Sequence, residues 1–242
     1  MGVNSGISKE WKVETEEGRE HIRTKVVNQS GLIAAFDASI KKSFRNDGVW
    51  YDISGQDNHL LLSGVTYTSD SKGGLVFGNG SSAVAMKPFT NNFASGYTIS
   101  TWIKHTGVVS TARAQRYVTI EPEVAVIRHN TSSAASLQTY LFNTASASAS
   151  VDITNQILTN TYYHVVASYD FGVSTNNLSL YRNGVLIGTG TLAKPIRSNR
   201  SFRISHATEY FEGNMYAMTI YNRALTQQEI QKNYRTTYDR FF

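Results

Sequence analysis

One pair of carboxylates has a spacing that suits acid–base catalysis, at Glu121-Pro122-Glu123. Glycoside hydrolases set two carboxyl groups roughly 5 to 10 Å apart around the bond they cleave, and residues two apart on a strand share a face. Pro122 favours an edge or a turn, because it has no N–H to donate to a central sheet. The sequence therefore favours a solvated loop over a catalytic pair at these residues.

Other catalytic patterns are absent from the sequence. The six histidines could supply a base for a Ser-His-Asp triad, but no G-x-S-x-G elbow is present to position a serine. His164 lies inside a strand-like run, which favours a hydrogen-bonded structural histidine. The chain also has no P-loop, dinucleotide fingerprint or H-E-x-x-H motif. We therefore predict that the protein is not an enzyme and needs no organic cofactor.

Calcium is the one cofactor that the sequence leaves open. Carboxylate and amide oxygens suited to a hard cation occur in two neighbouring loops, at Asp37, Asp52, Asp57 and Asn58. Asp52 has an alternative role, because an aspartate can accept hydrogen bonds from N–H groups two residues ahead and cap its own turn. The sequence favours this structural role over a metal site.

Composition indicates one β-rich domain. The chain has 242 residues, of which 40% are hydrophobic and 17% charged, with 14 Tyr and no Cys. All-β domains often reach this length as one unit. The net charge of +5 is spread along the chain without a basic patch interleaved with aromatic residues, so nucleic-acid binding is not expected. The amino-terminal segment lacks the apolar core of a signal peptide, and no apolar run is long enough to span a bilayer.

Alternating apolar residues predict strands, and one capping motif predicts a helix. Asn183-Gly184 separates two such strands and is the preferred two-residue hairpin turn, because both positions need positive φ. Thr226-Gln-Gln-Glu229 is a capping box that predicts a helix over Thr226–Tyr234. The other strands are expected at Gly31–Ser39, Tyr97–Ile103, Val118–Arg128, Leu137–Phe142 and Tyr162–Asp170, and the turn itself lies within the hairpin segment Leu178–Ile187. Thr144–Ser150, rich in Ala and Ser, is compatible with a loop or with a closely packed strand.

Three segments carry a family pattern. They are the loop Trp50–Leu60, the pair of strands Tyr162–Ile187 and the terminal motif Gly213, Met215, Ile220, Tyr221, Asn222, Arg223, Ala224, Leu225, Thr226, Glu229 and Ile230. Together they resemble the laminin-G-like, concanavalin A-like lectin/glucanase jelly-roll family. The resemblance implies an all-β fold, a two-sheet antiparallel jelly-roll sandwich with one short C-terminal helix, over residues 31–242. Calcium-binding members commonly have an acid after the Gly-x-Ile of the terminal motif, where this chain has Tyr216 and Ala217.

Residues 1–30 differ from the rest of the chain, because they are polar and contain few apolar positions. Such a segment cannot bury enough surface to fold alone, so it is expected to be extended or ordered by a partner. Its large apolar side chains are candidate anchors for docking, at Trp11, Val13, Ile22 and Val26. The alternative is that Trp11 folds back on the sandwich.

The ending of the chain, Arg235–Phe242, is similar to the tails of family members from tailed phages. This resemblance, with the absence of cysteine and of a catalytic constellation, predicts a non-enzymatic virion protein, a capsid or tail decoration or adhesion module made in the host cytoplasm. Its expected partners are virion proteins, with a cell-surface glycan or a second copy of the chain left open. The alternative is a carbohydrate-binding, lectin-like module of a bacterial surface protein, with or without calcium.

Overall fold

The strands of the chain form two antiparallel sheets that pack face to face. The computed structural model describes residues 29–87, 93, 95–107, 113–121, 125–131, 135–142, 148–193 and 201–242. The division into an arm of residues 1–30 and a domain of residues 31–242 stays a prediction, because most of the arm lies outside these ranges.

Within the described residues the first sheet contains eight strands: β1 (Leu32–Asp37), β4 (Thr66–Thr68), β5 (Gly74–Phe77), β7 (Gly96–His105), β12 (Tyr162–Asp170), β13 (Leu178–Arg182), β14 (Val185–Gly190) and β16 (Gly213–Tyr221). Their order is β14-β13-β12-β7-β16-β5-β4, and β1 also pairs with β16. The strand nearest the start of the described chain therefore pairs directly with the last strand.

The second sheet also contains eight strands, in the order β11-β10-β9-β8-β15-β6-β3-β2. Its strands are β2 (Val49–Trp50), β3 (Leu60–Ser63), β6 (Ser82–Ala85), β8 (Gln115–Glu121), β9 (Ala125–His129), β10 (Leu137–Phe142), β11 (Ser148–Ile153) and β15 (Ser201–Ile204). The predicted two-sheet antiparallel fold is confirmed.

Alternation along each strand decides which side chains enter the space between the sheets. In β7, Tyr97, Ile99 and Ile103 belong to the main buried cluster, whereas Trp102 belongs to a separate cluster with Phe241 near the end of the chain. This is the division that period-two spacing predicts for a strand with large groups on both faces. One face of β7 therefore builds the core and the other receives the C-terminal segment.

The hairpin prediction is confirmed, and one strand prediction is corrected. Asn183 and Gly184 have φ values of 52° and 75° between β13 and β14. The predicted single strand Val118–Arg128 is instead two antiparallel strands, β8 and β9, because the chain reverses between Ile120 and its partner Ala125. Of the segment left open, Thr144–Ser150, the last three residues belong to β11, and residues 144–147 lie outside the described ranges.

The C-terminal helix α1 (Gln227–Tyr238) begins at the predicted capping box and ends one turn later than predicted. The Glu229 N–H donates to Thr226 Oγ1 at 3.2 Å, and the Thr226 N–H donates to Glu229 Oε2 at 2.8 Å. Ile230 anchors the helix in a small buried cluster with residues of the first sheet. The extra turn places Thr237 Oγ1 where it accepts a hydrogen bond of 2.8 Å from the Trp102 indole.

The segment after α1 is held on the outer side of the first sheet. The ring of Phe241 stacks on Trp102 with 4.0 Å between centroids. The Arg240 guanidinium donates to Asp37 at 2.7 Å and to the Gly73 carbonyl at 2.6 Å. The helix and this segment therefore cover the outer face of the first sheet around Trp102.

Candidate functional site

A row of polar side chains crosses four strands of the second sheet on its outer face. Arg116 on β8 is opposite Arg128 on β9, Arg128 is opposite Gln138 on β10, and Gln138 is opposite Asp152 on β11. Next to Arg128 and Gln138 along their strands, Ile127 and Leu137 enter the core, so the row points outward by alternation. We call Arg116, Arg128, Gln138 and Asp152 the polar row.

Glu209, on the loop between β15 and β16, neutralises the arginine end of the polar row. Its carboxylate forms ion pairs with Arg116 and, at 3.2 Å, with Arg128. Its backbone carbonyl accepts a hydrogen bond of 2.8 Å from the Arg116 N–H. Two arginines placed directly opposite each other repel, so this shared carboxylate is what makes the pair tolerable in the folded protein.

Hydrogen bonds continue along the rest of the polar row. Arg128 Nε donates to Gln138 Oε1 at 2.7 Å, and the Arg128 guanidinium lies 4.7 Å from the centroid of the Tyr140 ring. Asn130 donates to Asp152 Oδ2 at 2.6 Å. Because each planar group is held by a neighbour, the row is rigid before any ligand arrives, which lowers the entropy cost of binding.

A cleft of about 370 Å³ lies along this row. It is lined by Arg116, Arg128, Gln138, Tyr140, Ser148, Ala149 and Ser150. Guanidinium and amide N–H groups donate, the hydroxyls both donate and accept, and the ring of Tyr140, a residue that is 9% exposed, supplies a small apolar surface. A polyhydroxylated ring needs this combination of hydrogen-bonding groups around a small apolar surface.

Sequence reasoning missed this site. Gln138 and Tyr140 alternate with Leu137, Thr139 and Leu141, so the pattern of β10 alone could have assigned both to an outer face. The meeting of four strands could not be deduced, because it depends on the register of the pairing between them. Glu209 carried no signal in the sequence, since it lies on a loop far along the chain.

The residues proposed for calcium have structural partners. Asp52 accepts hydrogen bonds from the N–H groups of Ala35 at 2.8 Å, Ser54 at 2.8 Å and Asn58 at 3.0 Å. The hydrogen bond from Ala35 ties the loop to β1. The hydrogen bond from Ser54 is the predicted one by which Asp52 caps its own turn. Asn58, also buried, donates to the Ile33 carbonyl at 2.6 Å. These bonds explain the burial of both side chains without an ion.

The other two proposed calcium ligands do not join Asp52. Asp37 accepts from Arg240 at 2.7 Å and from the Ser39 N–H at 2.8 Å, whereas Asp57 is exposed. Within the described ranges, no three His, Asp or Glu side chains are grouped so that they could hold a metal ion. Calcium binding stays a prediction.

Several sequence-based candidates lie outside the described residues. These are the docking anchors Trp11, Val13, Ile22 and Val26, together with Pro122 and Glu123 of the acidic pair. The docking role stays a prediction. In the part of the chain that the structure does describe, no helix has the length and apolar character needed to cross a membrane.

Among the described residues three histidines are buried, His105, His129 and His164, and burial lowers the pKa of His105 and of His164. His164 Nε2 lies 2.7 Å from Ser100 Oγ, and its backbone N–H donates to Asn183 Oδ1 at 2.9 Å, in agreement with the predicted structural role. Burial lowers the pKa of His164 to about 3. Burial also lowers the pKa of His105 to about 4, against a smaller opposing effect of the Gly107 carbonyl. Both rings are therefore neutral at pH 7, which suits packing better than proton transfer.

Comparison with protein families identifies the class to which this chain belongs. The model of the concanavalin A-like lectin/glucanases superfamily matches residues 77–231. The chain is therefore a member of this superfamily, as its terminal motif indicated. Among curated proteins, none matches the chain.

Similar solved structures include the binding domains of several other proteins. The receptor binding domain of botulinum neurotoxin C/D mosaic serotype has a TM-score of 0.69 at 12% identity, covering 86% of this chain and 52% of that one. The botulinum neurotoxin type G receptor binding domain has a TM-score of 0.63 at 14% identity, covering 85% of this chain and 51% of that one. The binding domain of Paraclostridial Mosquitocidal Protein 1 has a TM-score of 0.66 at 15% identity, covering 87% of this chain and 53% of that one. The chain spans about half the length of these domains, and the likeness establishes the fold.

Proposed function

We propose that the protein is a non-enzymatic adhesion module that binds a saccharide in the cleft along the polar row. The observation that carries this proposal is the preorganised stack of Arg128 on Tyr140, 4.7 Å apart, beside the amide of Gln138 and the hydroxyls of β11. Superfamily membership and the similarity to structures of binding domains support recognition over catalysis. Fold alone does not determine function, so the proposal rests on the cleft.

Replacing Arg128 with glutamine tests the cleft as the binding site. The substitution removes the charge and the stacked plane, and we expect saccharide affinity to fall by about tenfold or more, as for the loss of a charge-assisted hydrogen bond. A glycan array on the whole chain would first identify a ligand, and titration calorimetry would then compare the variants.

Arg45→Gln is the matched control for this experiment. Arg45 also stacks on a tyrosine, 4.4 Å from the centroid of the Tyr51 ring, but it does not line the cleft. We expect this variant to bind like the wild type. Equal losses in the two variants, or an unchanged affinity after Arg128→Gln, would place the binding site elsewhere.

The virion setting is the second part of the proposal, and it rests on the resemblance to tailed-phage family members. In this setting the arm of residues 1–30 docks the module on a capsid or tail protein, and the cleft faces outward to a cell-surface glycan. In this setting the chain is made in the host cytoplasm and reaches the particle by assembly.

Mass spectrometry of purified particles tests this setting. We expect to find peptides of the protein in the virion. We also expect Trp11→Ala to lower the affinity of the arm for its partner by about thirtyfold, the typical loss for an anchor worth about 2 kcal/mol, and so to reduce incorporation. Absence of the protein from particles would defeat the virion setting and leave the bacterial lectin-like alternative. Normal incorporation of the Trp11 variant would show that the anchor lies on the sandwich.

A further inference from the structure

The charge arrangement at the end of the polar row carries an inference about the ligand. Arg116 and Arg128 are direct cross-strand partners, and their side chains are 8% and 18% exposed. Like charges in this position destabilise a sheet unless an anion lies between them. In the described structure that anion is the carboxylate of Glu209.

Glu209 does not belong to the sheet. It lies on the loop between β15 and β16, and its own backbone carbonyl is fixed by the Arg116 N–H at 2.8 Å. The loop is thus attached through its main chain, independently of the carboxylate. The carboxylate is 25% exposed and contacts Arg128 at 3.2 Å, so it can leave the arginines by side-chain rotation.

We propose that the ligand of the cleft is an acidic saccharide, whose carboxylate or sulfate group takes the position of the Glu209 carboxylate between the two arginines. This inference rests on the proposed saccharide-binding function of the same cleft. Guanidinium groups match the planar fork of a carboxylate, and the pairing is strong where water is largely excluded. Glu209 is an internal competitor that keeps the arginines in place until an anionic ligand replaces it.

A neutral saccharide gains less at this end of the cleft. It cannot compensate the two guanidinium charges, so Glu209 must remain, and the sugar is limited to contacts with Gln138, Tyr140 and the serines of β11. The cleft therefore selects for acidic ligands through the cost of leaving an arginine pair without an anion, a penalty that grows with burial.

The test compares matched acidic and neutral probes. A glucuronate-containing tetrasaccharide and its carboxyl-reduced form differ only at the carboxylate, as do 3′-sialyllactose and its carboxamide. We expect the wild-type chain to bind the acidic member of a pair at least tenfold more tightly, with an affinity that falls as salt concentration rises. Glu209→Gln should strengthen binding of the acidic member by about threefold to tenfold and leave the neutral member unchanged.

Glu212→Gln is the control. Glu212 lies on the same loop as Glu209, but its ion pair, at 3.1 Å, is with Arg113, which is not a member of the polar row. Circular dichroism establishes that each variant is folded. Added sodium sulfate gives a second measurement without a saccharide: it should raise the melting temperature of Glu209→Gln more than that of Glu212→Gln, because the ion fills the position between the arginines.

The outcomes separate this inference from the proposed function. Equal affinity for acidic and neutral members, or weaker acidic binding after Glu209→Gln, overturns the inference while saccharide binding stands. Failure of every saccharide to bind overturns the proposed function. Equal effects of sulfate on the two glutamine variants overturn the role assigned to Glu209.

Discussion

Replacing Asp52 with alanine is expected to lower the free energy of unfolding by about 3 kcal/mol or more. The carboxylate accepts hydrogen bonds from the N–H groups of Ala35 and Asn58, at 2.8 and 3.0 Å, and is itself only 7% exposed. Alanine leaves these two donors without a partner, and each unsatisfied buried group costs about 1 to 3 kcal/mol. Urea denaturation of the two proteins measures the difference.

Asp57→Asn is the control for this prediction. Asp57 lies on the same loop but is exposed, and its φ of 54° is a left-handed conformation that asparagine also adopts, so this replacement is expected to change stability by no more than about 0.5 kcal/mol. Repeating both measurements with calcium and with a chelator also tests the calcium hypothesis. If Asp52 is a ligand, calcium will stabilise the wild type and lose this effect in the Asp52 variant. A loss below about 1 kcal/mol in Asp52→Ala would contradict the structural role.

Acid is expected to destabilise the protein well before its carboxylates are protonated. The pKa of His105 is lowered by burial to about 4, and that of His164 to about 3, from the ordinary 6.5. Between pH 6.5 and these values the unfolded chain binds protons that the folded chain does not. Stability is therefore complete above pH 6.5 and falls as pH decreases, by up to about 1.4 kcal/mol per pH unit for each histidine.

His164→Gln should reduce this pH dependence by up to about 1.4 kcal/mol per pH unit between pH 6 and pH 4.5, because it removes one of the two histidines whose pKa is lowered by burial, while an amide N–H remains within reach of Ser100. His206→Gln, on the partly exposed loop after β15, is the control and should keep the wild-type slope. The measurement is the urea midpoint as a function of pH. A flat wild-type profile from pH 6.5 to 4.5 would sink the prediction.

A third group extends the acid sensitivity to lower pH. Asp70 accepts hydrogen bonds from Lys104, Tyr162 and Tyr216, at 2.8, 2.6 and 2.8 Å. Burial raises the pKa of Asp70, but the three donors outweigh burial and hold the pKa at about 2, below the ordinary 3.8. The contribution of Asp70 to the free energy of unfolding is present above pH 3.8 and is lost as pH falls toward 2. It therefore adds to the histidine effect only below pH 3.8.

Local signals in the sequence predicted the elements whose cause is local. The strands β10 and β12 occupy the predicted residues 137–142 and 162–170, because alternation and adjacent turns define both ends. The Asn183-Gly184 turn and the Thr226 capping box depend on a few adjacent residues, and both form as expected. The end of α1 was missed by one turn, because it depends on the distant Trp102.

The candidate site was beyond local reasoning. The polar row needs the register of four strands, in which Arg116, Arg128, Gln138 and Asp152 are separated by loops of different lengths. A shift of one residue in the register of any of these strands would point its polar-row side chain into the core. The sequence could assign Gln138 and Tyr140 to one face of a strand, but not the partners they would meet or the contribution of Glu209 from another loop.

The pairing of β1 with β16 has a consequence for how the protein reaches its fold. Leu32 is opposite Tyr221 and Asp37 is opposite Ala217, so the central region of the first sheet joins residues separated by nearly the whole described chain. Contacts this far apart in sequence require closing a long loop before they return any free energy, and such topologies fold slowly. On the ribosome, β1 must wait without its partner until Tyr221 has left the exit tunnel. During that time its uninterrupted apolar sequence is an exposed strand edge, which makes the nascent chain a natural client for a chaperone.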